Sequence, residues 1–359
     1  FKIGQEADLF DRMHLWERIV SCGAAETQLD HKDLLAVSLK SATHRLGGPV
    51  GRQTSNGSLL PVHPETFALP VDFASLLAVL QTSSPLPNGR KPSWMIKPAR
   101  MADGHGVRRV DEEELRELLA GGAKVATLRL GQGCIVQRYV ENPLLWEGKK
   151  FDLRLYVLVT SQRPLRIFLY NNGYARLAPA NFTWAKKPSK KGDQDEGKRE
   201  NRTQQQRERD RRIHITNRSQ HQKKSGRCAR SLKALRDSLF GGAAGSTAWT
   251  QLMNRIKDLL SYAFVAVMGA ASGLPSETLS HPRGLCGKLY GVDILIDDDH
   301  WPHLLEVNRA PAVDRGVDCP EIFDIHQPLA SDVLDRLLPA QANTTVKTLE
   351  PSLGEERIE

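Results

Sequence analysis

The chain has 359 residues, 40% of them hydrophobic and 26% charged, with a formal net charge of +8. That length exceeds one compact core and calls for two or three packed subdomains, and no apolar run is long enough to span a bilayer. Its five cysteines, Cys22, Cys134, Cys228, Cys286 and Cys319, are scattered without a C-x-x-C pair, which argues against a disulfide framework or a structural zinc site and suits a reducing compartment; the basic balance favours an acidic partner without choosing which.

The opening residues, from Phe1, carry no secretory pattern. From about Gln5 to Leu46 apolar side chains recur at helical spacing, and Asp30-x-x-Asp33 is a start signal before Leu34, Leu35 and Val37. A Gly/Ser/Asn-rich loop covers residues 47–58, Leu76 to Leu80 closes a short helix, and Pro85 to Pro92 reads as a linker. Three strands are predicted at Trp94-Met95-Ile96, Cys134-Ile135-Val136 and Leu153 to Val159, with a helix from Asp111 to Leu119 between the first two. Arg166 to Tyr170 pairs back on the third strand as a hairpin around Gln162-Arg163-Pro164.

Lys186 to Arg212 holds eleven Lys/Arg, six Asp/Glu and no aliphatic or aromatic residue. Such a segment buries too little apolar surface to offset its ordering entropy, so it reads as a disordered basic loop. Beyond it, Trp249 to Val267 is helical, and the apolar run from Leu259 to Leu274 reads as buried helix rather than a membrane span. A loop over residues 271–284 leads to strands Tyr290 to Ile296 and His303 to Val307, joined by Asp297-Asp298-Asp299-His300. A final helix runs from Asp324 to Leu338, and a polar, frayed tail follows from Pro339. No internal repeat is visible.

The last hairpin is the densest in chemistry. Gly291-Val292-Asp293 lies on its first strand and Leu305-Glu306-Val307-Asn308 on its second, so Asp293, Glu306 and Asn308 converge at one end, the latter two on one strand face. Two carboxylates and a carboxamide oxygen form a hard-oxygen set of the kind Mg²⁺ takes together with phosphates. Glu306 sits inside the apolar run Leu304 to Val307, where a carboxylate needs a partner; a cation would serve, and so would an ordinary ion pair on a solvated hairpin end.

Lys97-Pro98 closes a strand ahead of Asp103-Gly104-His105-Gly106-Val107. A lysine there can meet a phosphate, and glycines let backbone N–H groups come close to one, although the segment is neither a Walker A loop nor a Rossmann fingerprint. Gln137-Arg138-Tyr139-Val140 ends a strand that Pro143 stops, leaving backbone groups able to read an adenine edge. Lys150, Asp152 and Arg154 alternate onto one face of the next strand. Arg176, in Gly173-Tyr174-Ala175-Arg176, offers a fork for a carboxylate, and His214-Ile215-Thr216-Asn217 offers side chains for phosphate or metal-bound oxygens. Taken singly, each of these also fits an ordinary turn or exposed face.

In order along the chain, W-M-I-K-P…G-H-G-V, V-Q-R-Y-V-E-N-P-L-L, G-K-K-F-D-L-R-L-Y-V-L-V-T, P-L-R-I-F-L-Y-N-N-G-Y-A-R, H-I-T-N, Y-G-V-D-I-L-I-D and L-L-E-V-N resemble the motifs of the tubulin tyrosine ligase-like family. His31-Lys32-Asp33-Leu34 and Pro64 to Pro70 are similar to further family motifs, so the likeness spans about residues 25 to 335. The resemblance implies an α+β ATP-grasp fold divided into residues 1–90, 91–140 and 141–338 with the insert 186–212, then a tail 339–359. It implies an ATP- and Mg²⁺-dependent ligase joining a free amino acid, glutamate first, to the acidic C-terminal tails of tubulin or microtubules. Neither nucleic acid nor membrane is an expected partner, and the setting is the cytoplasm and cytoskeleton, a cilium or flagellum included.

By the same resemblance Lys97 and Lys150 contact the nucleotide phosphates, with Asp103, Gly104, Gly106 and Val107 in the phosphate loop. Gln137, Arg138, Tyr139 and Val140 hold adenine, and Asp152 and Thr216 complete the nucleotide site. Asp293, Glu306 and Asn308 hold Mg²⁺, Arg154 and Arg176 bind the amino-acid carboxylate or the acyl-phosphate, and His214 and Asn217 line the reaction centre. The chain departs from the family pattern at Arg138, where Lys is usual, at Arg218-Ser219, where an aromatic often follows, and at His326, where the final helix usually carries Lys. Tyrosination, glycylation, a small-metabolite ligase and a non-catalytic microtubule-binding protein stay open as alternatives.

Overall fold

The computed structural model describes residues 25–45, 51–53, 59–61, 63–101, 104–130, 133–162, 164–184, 196–217, 229–241, 247–270, 287–311, 313, 320–337 and 355–358. The helix expected from Gln5 is described from Ala25, as α1 (Ala25–Asp30) and α2 (Lys32–Arg45) broken at His31. A short ladder of β1 (Gly51–Gln53) and β2 (Leu59–Pro61) follows, then β3 (Thr66–Leu69) and α3 (Phe73–Thr82). Next come β4 (Ser93–Pro98), β5 (Arg108–Asp111), α4 (Glu112–Leu119), α5 (Ala123–Leu130) and β6 (Cys134–Arg138).

Strands β3, β6, β4 and β5 form an antiparallel sheet in that order. Its period of two decides the small lobe: Trp94, Ile96, Cys134 and Val136 point into a core with Leu76 and Leu80 of α3 and Leu115 and Leu119 of α4. Met95, Lys97 and Gln137 therefore point out of the opposite face. Helix α4 starts where the Asp111 carboxylate accepts the Glu114 N–H at 2.9 Å, with Glu112, Glu113 and Glu114 at the positive end of the helix dipole.

The second, larger sheet is built from β7 (Leu145–Trp146), β8 (Lys149–Gln162), β9 (Leu165–Tyr170), β10 (Tyr174–Leu177), β11 (Ala229–Ser231), β12 (Lys288–Ile296), β13 (Pro302–Asn308) and β14 (Glu355–Ile358). Its main path runs β11-β10-β8-β12-β13, while β9 pairs with β8 and carries β14 on its other edge. Between these strands lie α6 (Glu196–His214), α7 (Leu232–Leu239) and α8 (Thr247–Ala270), and α9 (Pro320–Leu337) comes after β13. One face, with Leu153, Leu155, Val157, Val292 and Ile294, packs on α1, α2, α7 and α8. The alternate residues Tyr156, Leu158 and Leu289 pack on α9. Nearer the start of β8 the second face turns polar, through Lys150, Asp152 and Arg154.

Two expectations are corrected. The basic segment 186–212 is helical from Glu196 as α6. Its Glu, Gln, Lys and Arg residues are strong helix formers, and its C-terminal end is anchored: Ile213 and His214 are buried and Asp210 pairs with Arg109. The argument from apolar content overlooked that one anchored turn can hold a polar helix; residues 186–195 lie outside the described set. The tail, expected to be frayed, adds β14 to the edge of β9. No described helix is long and apolar enough to cross a membrane.

Since Leu153 is fully buried in the larger core, Leu153→Ala is expected to destabilise the protein by about 2–5 kcal/mol, read as a lowered urea midpoint. Val71, 83% exposed, should tolerate Ala within about 0.5 kcal/mol.

Candidate functional site

The polar faces of the two sheets meet across one cleft. It is lined by Lys97, Gly104, Val107, Gln137, Arg138, Tyr139, Val140, Lys150, Asp152, Arg176, His214, Thr216, Asn217, Asp293 and Glu306. Its free volume is about 60 Å³, because these side chains fill it. Arg154 stands behind Asp293, Asn308 pairs across the ladder from Gly291, and Gly106 lies against Pro98. Asp103, Arg218 and Ser219 lie outside the described residues.

Strand register produces the central ion network. Asp152 faces Arg176 across β8–β10, and Arg154 faces Asp293 across β8–β12. Arg176 donates from Nε and Nη2 to Asp152 at 2.7 and 2.8 Å. Arg154 donates from the same two nitrogens to Asp293 at 2.5 and 3.1 Å, and Arg176 Nη2 also reaches Asp293 Oδ2 at 2.7 Å. The Thr216 hydroxyl donates to Asp152. Burial alone would raise the Asp293 carboxyl; the two guanidiniums outweigh it and hold Asp293 well below the usual carboxylate range.

A β-bulge then aims Glu306. The β12–β13 register shifts between Asp293 and Ile294, so Asp293 opposes Glu306 while Ile294 opposes Leu304. The extra residue, Leu305, lets Leu304 and Val307 both enter the core while Glu306 stays on the site face. Burial and the adjacent Asp293 charge raise the Glu306 carboxyl.

Two lysines of the cleft are held by neutral partners. Lys97 donates to Gln137 Oε1 at 2.6 Å, and Gln137 is oriented by donating to Thr66 Oγ1 at 2.9 Å. Lys150 donates to the Tyr139 hydroxyl and the His214 carbonyl, each at 3.1 Å. Since the Tyr139 oxygen accepts from Lys150, its proton is directed to His214 Nδ1 at 2.9 Å. Burial lowers Lys97 to about 8 and Lys150 to about 7. Burial, then the Lys150 and Arg109 charges, push His214 down to about 2, so its ring is neutral.

The glycines of the loop after Lys97 are explained by contact. Gly104 and Gly106 have φ of +68° and +73°, and a Cβ at either would come within 2.9 Å of Asn217 or 2.8 Å of Pro98. The loop is thereby laid directly on the H-I-T-N segment. Arg138, at the position where the related motif has Lys, lies 3.7 Å from Glu65 and over the Trp94 ring. His326 is buried against Tyr156 and Tyr174, 2.5 Å from the Tyr156 hydroxyl.

Several participants were not singled out in the sequence. Lys32 Nζ lies 3.3 Å from Glu306 Oε2, its helix delivering a third ammonium; its signal was the His31-Lys32-Asp33-Leu34 motif, to which no role was attached. His63 and Thr66, within or beside the Pro64–Pro70 motif, orient Gln137. Arg109 and Asp210 carried no local signal, because their pairing spans distant parts of the chain.

Two sheets closing on a cleft of lysines, arginines and paired carboxylates define an ATP-grasp scaffold. Residues 24–346 match the tubulin-tyrosine ligase family, and the chain belongs to that family. It is 27% identical over 344 residues to the "Probable alpha-tubulin polyglutamylase Ttll1" of Tetrahymena thermophila, a match that covers 89% of this chain and 74% of that protein. It is 29% identical over 281 residues to "Tubulin polyglutamylase TTLL5" of Mus musculus (75% of this chain) and 28% over 261 residues to "Tubulin monoglutamylase TTLL4" of Mus musculus (70% of this chain). The chain spans 18% of the length of each of these two.

The buried lysines set a pH dependence. Lys150 titrates near 7 in the fold against an ordinary 10.5. Between those values the unfolded chain holds the proton and the fold does not, so stability rises with pH across this window. Replacing Lys150 with Met is expected to flatten that rise, measured as the urea midpoint from pH 7 to pH 10.

Proposed function

We propose that this protein is an ATP- and Mg²⁺-dependent ligase that adds an amino acid, glutamate foremost, to side-chain carboxylates on the acidic tails of tubulin. The reading rests chiefly on the cleft itself. Lys32, Lys97, Lys150, Arg154 and Arg176 stand against only three carboxylates, Asp152, Asp293 and Glu306. A surplus of basic groups between two sheets suits a polyphosphate and an anionic acceptor together. The polyglutamylase and monoglutamylase names of the relatives support glutamate as the donor and a cytoskeletal setting.

A carboxylate is a poor electrophile, and phosphorylation by ATP converts it to an acyl-phosphate that an α-amine can attack. Lys97 and Lys150 are placed to hold phosphate oxygens, and Gln137 to Val140 to hold the adenine edge. Arg154 and Arg176, already oriented by Asp293 and Asp152, are placed to stabilise charge developing on the transferring phosphoryl and the acyl oxygen. Tyr139 and neutral His214 keep Lys150 aimed into the cleft. Fixing acceptor and amine together removes much of the entropic barrier.

The residues fit Mg²⁺. Among the described residues no group of three or more His, Cys, Asp or Glu forms a closed cage, but Mg²⁺ prefers one or two carboxylates completed by phosphate and water. Buried Asp293 and half-buried Glu306 face each other across the ladder, Lys32 is the one cation paired with Glu306 among the described residues, and Asn308 adds a carboxamide oxygen. Bound there, Mg²⁺ would neutralise charge on the phosphates.

Glu306→Gln tests the reading, because Gln keeps the size and shape of the side chain while removing the charge a metal ligand needs, and should leave the melting temperature near wild type. Ligation is expected to fall about a hundredfold or more. Mass spectrometry of tubulin tail peptides after incubation with ATP, Mg²⁺ and each amino acid in turn is expected to show added glutamate. Wild-type turnover by the Glu306→Gln protein would remove the metal assignment, and no mass increment with any amino acid would remove the ligase assignment.

A further inference from the structure

Helix α6 enters the reading above only through its last residue, yet its final two turns carry Arg207, Arg209, Arg211 and Arg212, all exposed. None of these four guanidiniums makes a hydrogen bond or ion pair among the described residues. The acid between them, Asp210, is taken by Arg109, which donates to both of its oxygens. Helical spacing splits the four. Arg207 and Arg211, four apart, line a cavity of about 630 Å³, whereas Arg209 and Arg212 line a groove on the other side of the helix.

The first cavity adjoins the catalytic cleft, since Val107, His214 and Ile215 line both. Four carboxylates stand on its far wall: Glu112 is answered by Lys91 and Arg116, Glu114 by Arg108 and at longer range by Arg207, Asp111 caps α4 through the Glu114 N–H, and Glu113 lies beside them. The nearest aromatic, Trp184, is capped by the Arg90 guanidinium 3.5 Å from its ring centre and packed edge-on by Tyr139 and Phe182. That leaves no free ring in the cavity, among the described residues, on which a nucleic-acid base could stack, while guanidinium forks without a hydrogen-bonded partner match carboxylates.

We infer that Arg207 and Arg211 form a docking rail for an acidic peptide, the stretch of acceptor chain next to the residue being modified, and that this chain enters the catalytic cleft through the cavity they line. The inference rests on the ligase reading above and adds the side from which the acceptor arrives. Long-range attraction to the four arginines speeds encounter, and the inward pair alone holds the bound peptide.

The test measures binding of a fluorescently labelled glutamate-rich peptide to the full chain by anisotropy, together with KM for peptide and for ATP. Arg207→Gln/Arg211→Gln is expected to raise both the peptide Kd and the peptide KM about tenfold, with KM for ATP and melting temperature unchanged. Arg209→Gln/Arg212→Gln is expected to change them less than about threefold, as exposed charges off the binding path do. Equal losses from the two pairs, or tighter binding of an oligothymidylate of equal charge than of the peptide, would overturn the rail and leave general polyanion attraction. Ligation with a peptide KM indifferent to both double substitutions sinks the rail and keeps the ligase. Peptide binding that weakens only with Arg207→Gln/Arg211→Gln, in a protein that ligates nothing, keeps the rail and sinks the ligase.

Discussion

Asp293 is gripped by Arg154 directly across one ladder and by Arg176 from the strand beyond. Three charges in one buried patch can be held only because β10, β8 and β12 lie side by side in a single register. A slip of one residue in β8 would send Lys150, Asp152 and Arg154 into the apolar core and bring Phe151, Leu153 and Leu155 to the site. The hydrophobic pattern that builds the core is therefore also what positions the chemistry. Removing one member of such a buried network leaves its partner unpaired, which costs about 3–5 kcal/mol, so the arginines are fixed by the fold before any substrate arrives.

With the arginines fixed, the adaptable charges are the lysines. Lys97 and Lys150 sit in the same desolvated cleft, with neutral partners in Gln137 and Tyr139 and with proton affinities lowered by burial. An anion between the lobes would favour their charged forms. Lys32 differs, since its partner Glu306 is a carboxylate. Each cleft cation thus already has an internal partner, and a polyphosphate would exchange partners with them rather than fill a void.

Much of this was legible in the sequence, for a physical reason. A sheet with period two writes its polar face as alternate charged residues, so the spacing of Lys150-x-Asp152-x-Arg154 and of Glu306-x-Asn308 by itself puts each set on a shared face. Strand and hairpin positions followed from the same rule. The bulge at Leu305 was not visible, because it shows only in pairing register. Lys32, Thr66 and Arg109 were missed because their partners lie far along the chain, and local spacing carries no information about such contacts. Composition misled at residues 196–212, where low apolar content was equated with absence of structure although strong helix formers and one anchored turn suffice.

That anchored turn ties the two lobes together. Arg109 belongs to β5 of the small sheet, whereas Asp210 and His214 belong to the helix that runs directly into Thr216 and Asn217. Asn217 in turn carries the loop at Gly104, and the His214 ring is engaged by Tyr139 and its carbonyl by Lys150. A rigid-body shift of one lobe must therefore move the Arg109–Asp210 pair, the Thr216–Asn217 segment and the glycine loop in concert. The lobe contact there joins these ionic and hydrogen-bonded pairs to an apolar cluster of Met95, Tyr139 and Ile215, with Val107, Phe182 and Trp184 packed against it. Parting the sheets at this junction would break the Arg109–Asp210 pair and expose those side chains together, so polar pairing and apolar burial hold the same relative setting of the two sheets.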